Sequence, residues 1–305
     1  MTTLYGYKRE VGQPGARNNV LVLPSVICSA LVAREIAEAA GVCAVAHQHG
    51  CGHIGPDIVQ TQDLFVGAAS SPNVAHPLVV SLGCETIQGR GIADRLRAKG
   101  IDARFVSIQD SGGSTAARAA GIREATELRQ LADGCERVSV PVSGLTVGVA
   151  VDRADHRVAD LIGHAVRRGA RVVVAGPRAA VAGLTTGAAS IAIGEAPAEQ
   201  ISFLGEDPGS PGARLLALAS TRTQVIVEFP AVDQPPLSIA VAPMVSVAAA
   251  ESVLHQMIGA EFDLGAGDDV GAIWECVGEV FSGAPAKSEL RNSTTFSIPR
   301  LLRTM

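Results

Sequence analysis

Four short apolar runs, Val20–Leu23, Val42–His47, Leu78–Leu82 and Ala103–Ile108, are each followed by a turn and a stretch of helical periodicity, and this alternation constrains the fold more than any other feature. A strand, a helix and a second strand form the βαβ unit, whose crossover makes the two strands parallel. The spacing predicts helices from Ser25, as cap, through Ala40, over Asp57–Ala69, over Ile92–Lys99, and from the Gln109–Thr115 turn to about Ala132. After a polar break at Asp133–Ser143 the pattern resumes with the strand Thr146–Val151, the helix Arg157–Arg168 and the strand Arg171–Ala175. The core must be built from small aliphatic side chains, because 47% of the residues are hydrophobic and only 3% aromatic. Such side chains suit close packing of helices on a sheet. The expected fold class is therefore α/β, with two α/β lobes (residues 1–140 and 141–305), mainly parallel sheets and helices on their faces. In the second lobe Glu195–Gly212 reads as a long loop, Gln224–Phe229 and Leu237–Val241 as strands, and Val247–Met257 and Gly271–Phe281 as helices.

Charge narrows the partners. The net charge is -5, and no basic block or aromatic-interleaved patch argues for nucleic acid, so a small molecule is the expected ligand. No apolar run is long and uninterrupted enough to span a bilayer, and Met1–Glu10 has no signal core, so a cytoplasmic protein is expected. The six cysteines are scattered, which suits reduced thiols, with Cys43, Cys135 and Cys276 as small buried residues. No G-x-G-x-x-G follows the first strand, and neither a P-loop nor a G-x-S-x-G elbow is present.

Chemistry concentrates in two turns. Val45–Asp57 carries His47, His49, Cys51, His53 and Asp57, and Ser81–Gln88 carries Cys84, Glu85 and Gln88. In an extended segment His47 and His49 point to one side, and Gly50, Gly52 and Gly55 then let the chain fold back. Imidazole, thiolate and carboxylate together suit a borderline metal such as Fe(II) or Zn(II). Both turns follow strands, where ligands of parallel sheets gather. A polar glycine-rich turn with satisfied histidines would read the same way. Gln109–Thr115 is either an anion-binding helix start or a plain cap by Ser114, and Gly183–Gly187 is a further candidate anion cradle. Asp152, Asp155 and His156 read first as helix caps.

These segments resemble the large catalytic portion of the altronate and galactarate dehydratases. The resemblance runs through G-Y-K-R (Gly6–Arg9), G-A-R-N-N-V-L-V-L-P-S-V-I-C (Gly15–Cys28) and H-Q-H-G-C-G (His47–Gly52) with Asp57. It continues through H-P-L-V-V-S-L-G-C-E-T-I-Q (His76–Gln88), G-L-T-T (Gly183–Thr186), F-D-L-G-A-G (Phe262–Gly267) and K-S-E (Lys287–Glu289). It is close over about Gly6–Gly121 and weaker beyond.

The resemblance implies a metal-dependent hydro-lyase that dehydrates an aldonate or aldarate to a 2-keto-3-deoxy acid. Fe(II) is the implied ion, with zinc or manganese as alternatives, and a homo-oligomer is expected. By residue type, the expected ligands are His47, Cys51 and Cys84 or Glu85. His49, His53 and Asp57 would do acid–base work, while Arg17, Gln88, Ser111 and Thr185 would hold substrate. The chain leaves no room before Tyr5 for the family's small N-terminal module, so a separate small subunit is expected. Ala150–His156 and Pro230–Pro236 replace two polar family elements. That difference keeps open a non-catalytic or partner-dependent sugar-acid or metal-binding paralogue, and a lyase that eliminates another group such as sulfite.

Overall fold

The computed structural model describes residues 3–184, 187–291 and 296–299. The first half of the chain forms β1 (Leu4–Tyr7), β2 (Asn19–Pro24), α1 (Ile27–Ala40), β3 (Cys43–Ala44), α2 (Pro56–Ala69), β4 (Val74–Ser81), α3 (Gly89–Ala98), β5 (Arg104–Ser107) and α4 (Ser114–Asp133). Strands β2 to β5 make a parallel sheet of order β3-β2-β4-β5. Alternation along each strand decides which helices it meets. Val20, Val22, Leu78 and Val80 pack with α1 and α4, whereas Leu21, Leu23 and Val79 pack with α2 and α3. The fold is α/β, as the strand–helix alternation predicts.

Two local readings change. Ser25 does not cap α1, whose cap position is Val26 without a side-chain bond; the Ser25 hydroxyl turns to Glu85 instead. β3 has two residues rather than six, because beyond Val45, whose N–H still reaches Val22, the chain is drawn off the sheet. His47 and His49 therefore lie in a bend, and strand alternation does not orient them.

The second half adds β6 (Arg137–Val140), β7 (Thr146–Val151), α5 (His156–Arg167), β8 (Arg171–Ala175), α6 (Arg178–Val181), β9 (Ala189–Ile191), β10 (Ile201–Leu204), α7 (Pro211–Ser220), β11 (Val225–Phe229), β12 (Met244–Ser246), α8 (Val253–Met257), α9 (Val270–Phe281) and α10 (Lys287–Leu290). Six of these strands form a parallel sheet of order β12-β11-β7-β8-β10-β9. The polar break conceals β6, which pairs antiparallel with β1. Arg137 holds that ribbon by lying over the Tyr7 ring at 4.6 Å and donating to the Phe281 carbonyl. The expected loop at Glu195–Gly212 contains β10. Leu237–Val241 is not a strand: the Leu237 N–H donates to the Glu228 carboxyl, and Met244–Ser246 takes the place beside β11. Helix α8 covers only the end of Val247–Met257, capped by Ser252. Asp155 caps α5, accepting from Arg157 N–H at 3.0 Å.

Helix α2 packs against α7, and one apolar core runs from Leu21 and Phe65 through Leu216 and Ala217 to Val173 and Ile226. We propose the division near residue 140 on the strength of the two sheets, with this shared core as its constraint. Residues 1–140 expressed alone should aggregate, because the buried face of α2 loses its cover. A monodisperse, cooperatively unfolding fragment in sedimentation and urea experiments would contradict that. Among the described residues no helix is long and apolar enough to cross a membrane.

Candidate functional site at the strand ends

From β2 the chain crosses through α1 to β3 on one side and returns through α2 to β4 on the other. That reversal leaves a crevice between the carboxyl ends of β2 and β4, the place where open parallel sheets bind ligands. Ser25 follows β2 at this crevice, Gly83–Gln88 follow β4, and the bend after β3 meets both. The Ile87 N–H donates to the Gly50 carbonyl at 3.1 Å, and the Ile27 N–H donates to the His49 carbonyl at 2.9 Å. The imidazole-rich bend and the thiol–carboxylate bend are thus one surface.

Gly50 makes the contact possible. Its φ is +109°, and a Cβ there would stand 2.3 Å from the Ser25 carbonyl oxygen and 2.6 Å from Val26 Cα. Both neighbours are backbone and cannot yield cheaply. Gly50→Ala is expected to cost roughly 3 kcal/mol, from strain plus overpacking. Urea unfolding within 0.5 kcal/mol of the parent, a margin typical of neutral surface changes, would show that the two bends need not touch.

Glu85 sits beneath that contact and is fully buried. One carboxyl oxygen accepts from the Ser25 hydroxyl at 2.8 Å and the Gly89 N–H at 3.3 Å; the other accepts from the Gly83 N–H at 2.6 Å. The carboxylate therefore fills the positive start of α3. A Cβ on Gly83 would lie 2.5 Å from the Gln109 side-chain oxygen, so the β5 turn that carries Ser111 abuts the Cys84 turn.

His47 is likewise occupied. Its Nε2 lies 2.7 Å from the Pro24 carbonyl, which can only accept, so Nε2 carries the proton and Nδ1 accepts the His49 N–H at 3.2 Å. Phe65 and Phe296 flank the ring at centroid distances of 5.0 and 6.0 Å. Burial drives its pKa down to about 4, against the bond to Pro24, with His49 and His53 adding to the depression. With both ring nitrogens engaged, His47 as it stands is a neutral residue that fixes the bend, and the expected role as a metal ligand would require one of these bonds to break. The same holds for the two Glu85 oxygens.

His49 is half-buried, with its ring 5.7 Å from that of His53 and edge-on to it. His53 and Asp57 are buried, the latter in the first turn of α2. Cys51 and Cys84 are exposed. The exposed Gln88 turns back and its amide donates to the Glu85 carbonyl. Arg17 is a clear correction. It lies at the amino end of β2, away from the crevice, where it forks onto both Glu289 oxygens at 2.6 Å and donates to the Val280 and Ala284 carbonyls. Its work is to tie α9 and α10 to β2, not to hold substrate. Ser111 is half-buried, its N–H donating to the Ser107 carbonyl at 3.0 Å. Ser114 does not cap α4; Gly113 holds that position and no side chain bonds there. Thr185 lies outside the described residues. Sequence reasoning missed Ser25 and Phe296 as parts of the site; the position of Ser25 directly after a strand was the available signal.

Among the described residues no group of three or more His, Cys, Asp or Glu side chains is arranged to hold a metal ion. With His47 and Glu85 bonded to backbone groups, the four expected ligands do not fit a divalent ion as they stand.

Residues 6–133 match the family model described as the second domain of D-galactarate dehydratase/altronate hydrolase. An altronate dehydratase of Bacillus subtilis is 28% identical over 164 residues, covering 50% of this chain and 33% of that protein. The beta subunit of a (2R)-sulfolactate sulfo-lyase from Chromohalobacter salexigens is 32% identical over 155 residues, covering 50% and 39%. An altronate dehydratase of Escherichia coli is 34% identical over 93 residues, covering 27% and 19%. The matches therefore span well under half the length of these relatives.

Proposed function

Because this chain belongs, through residues 6–133, to the altronate/galactarate dehydratase family, we propose that it is a lyase that removes water from a sugar acid, an aldonate or aldarate, to leave a 2-keto-3-deoxy acid. The observation that carries the reading is the Ile87–Gly50 hydrogen bond, which joins the two polar bends at the sheet's switch point. Elimination takes the proton from C2, breaks the C3–O bond and releases the hydroxyl as water, and the resulting enol tautomerises to the keto acid. On this reading His49 is the base. Its backbone is anchored on both sides, N–H to His47 and carbonyl to Ile27, so the imidazole is presented from a fixed point. His53, edge-on to it, and Asp57 pass the proton on towards the departing hydroxyl. Ser111 and the N–H groups at the start of α4, which no side chain caps, receive the substrate carboxylate.

No step here runs through a metal. Iron, zinc or manganese is a proposal resting on the family, read by elemental analysis: stoichiometric metal, lost in a Cys51→Ala, Cys84→Ala double variant, would place it on the exposed thiols. A second lyase reading, with C–S cleavage and sulfite release, is favoured by the 32% identity to the sulfo-lyase beta subunit, whose name also suggests a partner subunit here. Binding without turnover is favoured by the bonded state of His47 and Glu85.

Incubation under anaerobic conditions with aldonic acids, aldaric acids and sulfolactate separates the three. A 2-keto product means a hydro-lyase, sulfite means a sulfo-lyase, and saturable binding without product means a binding protein. His49→Ala should lower turnover about 10²–10⁴-fold while leaving the unfolding transition in place. Turnover unchanged in that variant would remove His49 from the mechanism.

A further inference from the structure

A cavity of about 400 Å³ opens at the other end of the four-stranded sheet, where β4 begins, lined by Lys8, Arg9, His76, Asp102 and Arg222 with an apolar wall that includes Ile101. Strand β4 runs from this cavity to the crevice described above, so the two are separated by roughly 20 Å of strand. Arg222 stands just beyond Thr221, the C-cap of α7, with φ +69°, the only left-handed non-glycine among the described residues. Helices commonly stop this way, but on glycine, since a side chain there costs about 1 kcal/mol. The helix stop accounts for the backbone angle and leaves the arginine unexplained.

Among the described residues no hydrogen bond or ion pair reaches the Arg222 guanidinium, and burial is what lowers its pKa. The neighbouring Arg9 is fully engaged with the Pro72 and Arg17 carbonyls and Asn18. Burial and then the charge of Arg222 depress the pKa of Lys99, so two cations lie near one another in this region. Of the lining carboxylates, Glu10 is exposed and Asp102 is held by Arg104 at 3.3 Å, with His76 3.7 Å away. A cation held in a strained conformation, partly desolvated and lacking a counter-charge, is the feature that a bound anion would explain.

We propose that this cavity binds a small organic anion, a carboxylate or phosphate monoester, whose charged group bridges the Arg222 fork while its carbon skeleton lies on the apolar wall. The site is independent of the lyase reading.

Thermal unfolding and calorimetric titration at matched ionic strength, with glutarate and with inorganic phosphate as probes against chloride, test it. At least one probe should saturate and raise the midpoint by about 2–4 °C. Arg222→Gly keeps the left-handed backbone without strain and should abolish the shift, and Arg222→Lys, which keeps the charge but not the fork, should weaken binding several-fold. Response to phosphate alone would assign phosphate esters, and response to glutarate alone would assign carboxylates. A shift that survives in Arg222→Gly, or a parent protein that gives no saturable response to either probe, overturns the proposal.

Discussion

Glu85→Ala should destabilise the protein by about 3–5 kcal/mol, since it takes the acceptor from three donors at once, two of them in buried bonds. The Gly83 and Gly89 N–H groups and the Ser25 hydroxyl would face a void in place of a carboxylate. The Ser25 hydroxyl can turn to the Val80 carbonyl at 3.4 Å, but the two N–H groups come from a strand end and a helix start and do not share a replacement acceptor. Glu85→Gln keeps one acceptor oxygen and should lose less, and Ser25→Ala removes a single bond and should lose about 1 kcal/mol. Urea unfolding of the three variants should preserve that order. A Glu85→Ala protein within 1 kcal/mol of the parent, a loss no larger than one ordinary hydrogen bond, would mean that the carboxylate is not what holds the crevice together. The same variant should lose any turnover, because the bend carrying His49 rests on this layer.

Two buried groups should give the protein opposing pH responses of about 3 kcal/mol each. Burial raises the Glu228 carboxyl from 4.5 to about 7, against its bond from Leu237 N–H and the nearby Arg291, with Asp263 adding to the rise. Between those values the folded chain keeps a proton that the unfolded chain has released, so stability falls as pH climbs. His47 moves the other way, from 6.5 to about 4. In that interval the unfolded chain holds the proton, so stability rises with pH.

The windows overlap, and the parent protein should therefore show little net slope between about pH 5 and 6.5 from these two groups. Each substitution should expose the other. Glu228→Gln should match the parent near pH 4 and exceed it by about 3 kcal/mol at pH 8, while retaining the rise due to His47. His47→Asn should lose that rise, leaving a fall with pH, on top of a pH-independent cost from the lost ring packing. Chemical denaturation across pH 4–8 reads both. Parallel curves for Glu228→Gln and the parent would mean that Glu228 is ionised in the folded chain at neutral pH.

The residues at the crevice were legible in the sequence as a set, but their roles were not. Side-chain chemistry and position after an apolar run are local properties, which is why His47, His49, Cys84 and Glu85 could be picked out. Whether a nitrogen or oxygen is available depends on which backbone group approaches it. Pro24 reaches His47 and Ser25 reaches Glu85 only once the strands are in register. Arg17 was misassigned for the same reason, since Glu289 lies far along the chain and meets it only through packing. The short strands β6, β9 and β10 escaped because three or four residues carry too little periodicity to stand out against a polar loop.

By itself the sequence determined the α/β class, the order of the long helices and the two turns where chemistry collects. All of these follow from the spacing of apolar residues and from glycine's freedom, which act over a few neighbours. Only the tertiary structure decided that β3 stops after two residues, that the bends share one hydrogen bond, and that one histidine and one carboxylate serve the scaffold. Those outcomes depend on donors and acceptors brought together by strand pairing, and burial makes each unmet partner too costly to leave.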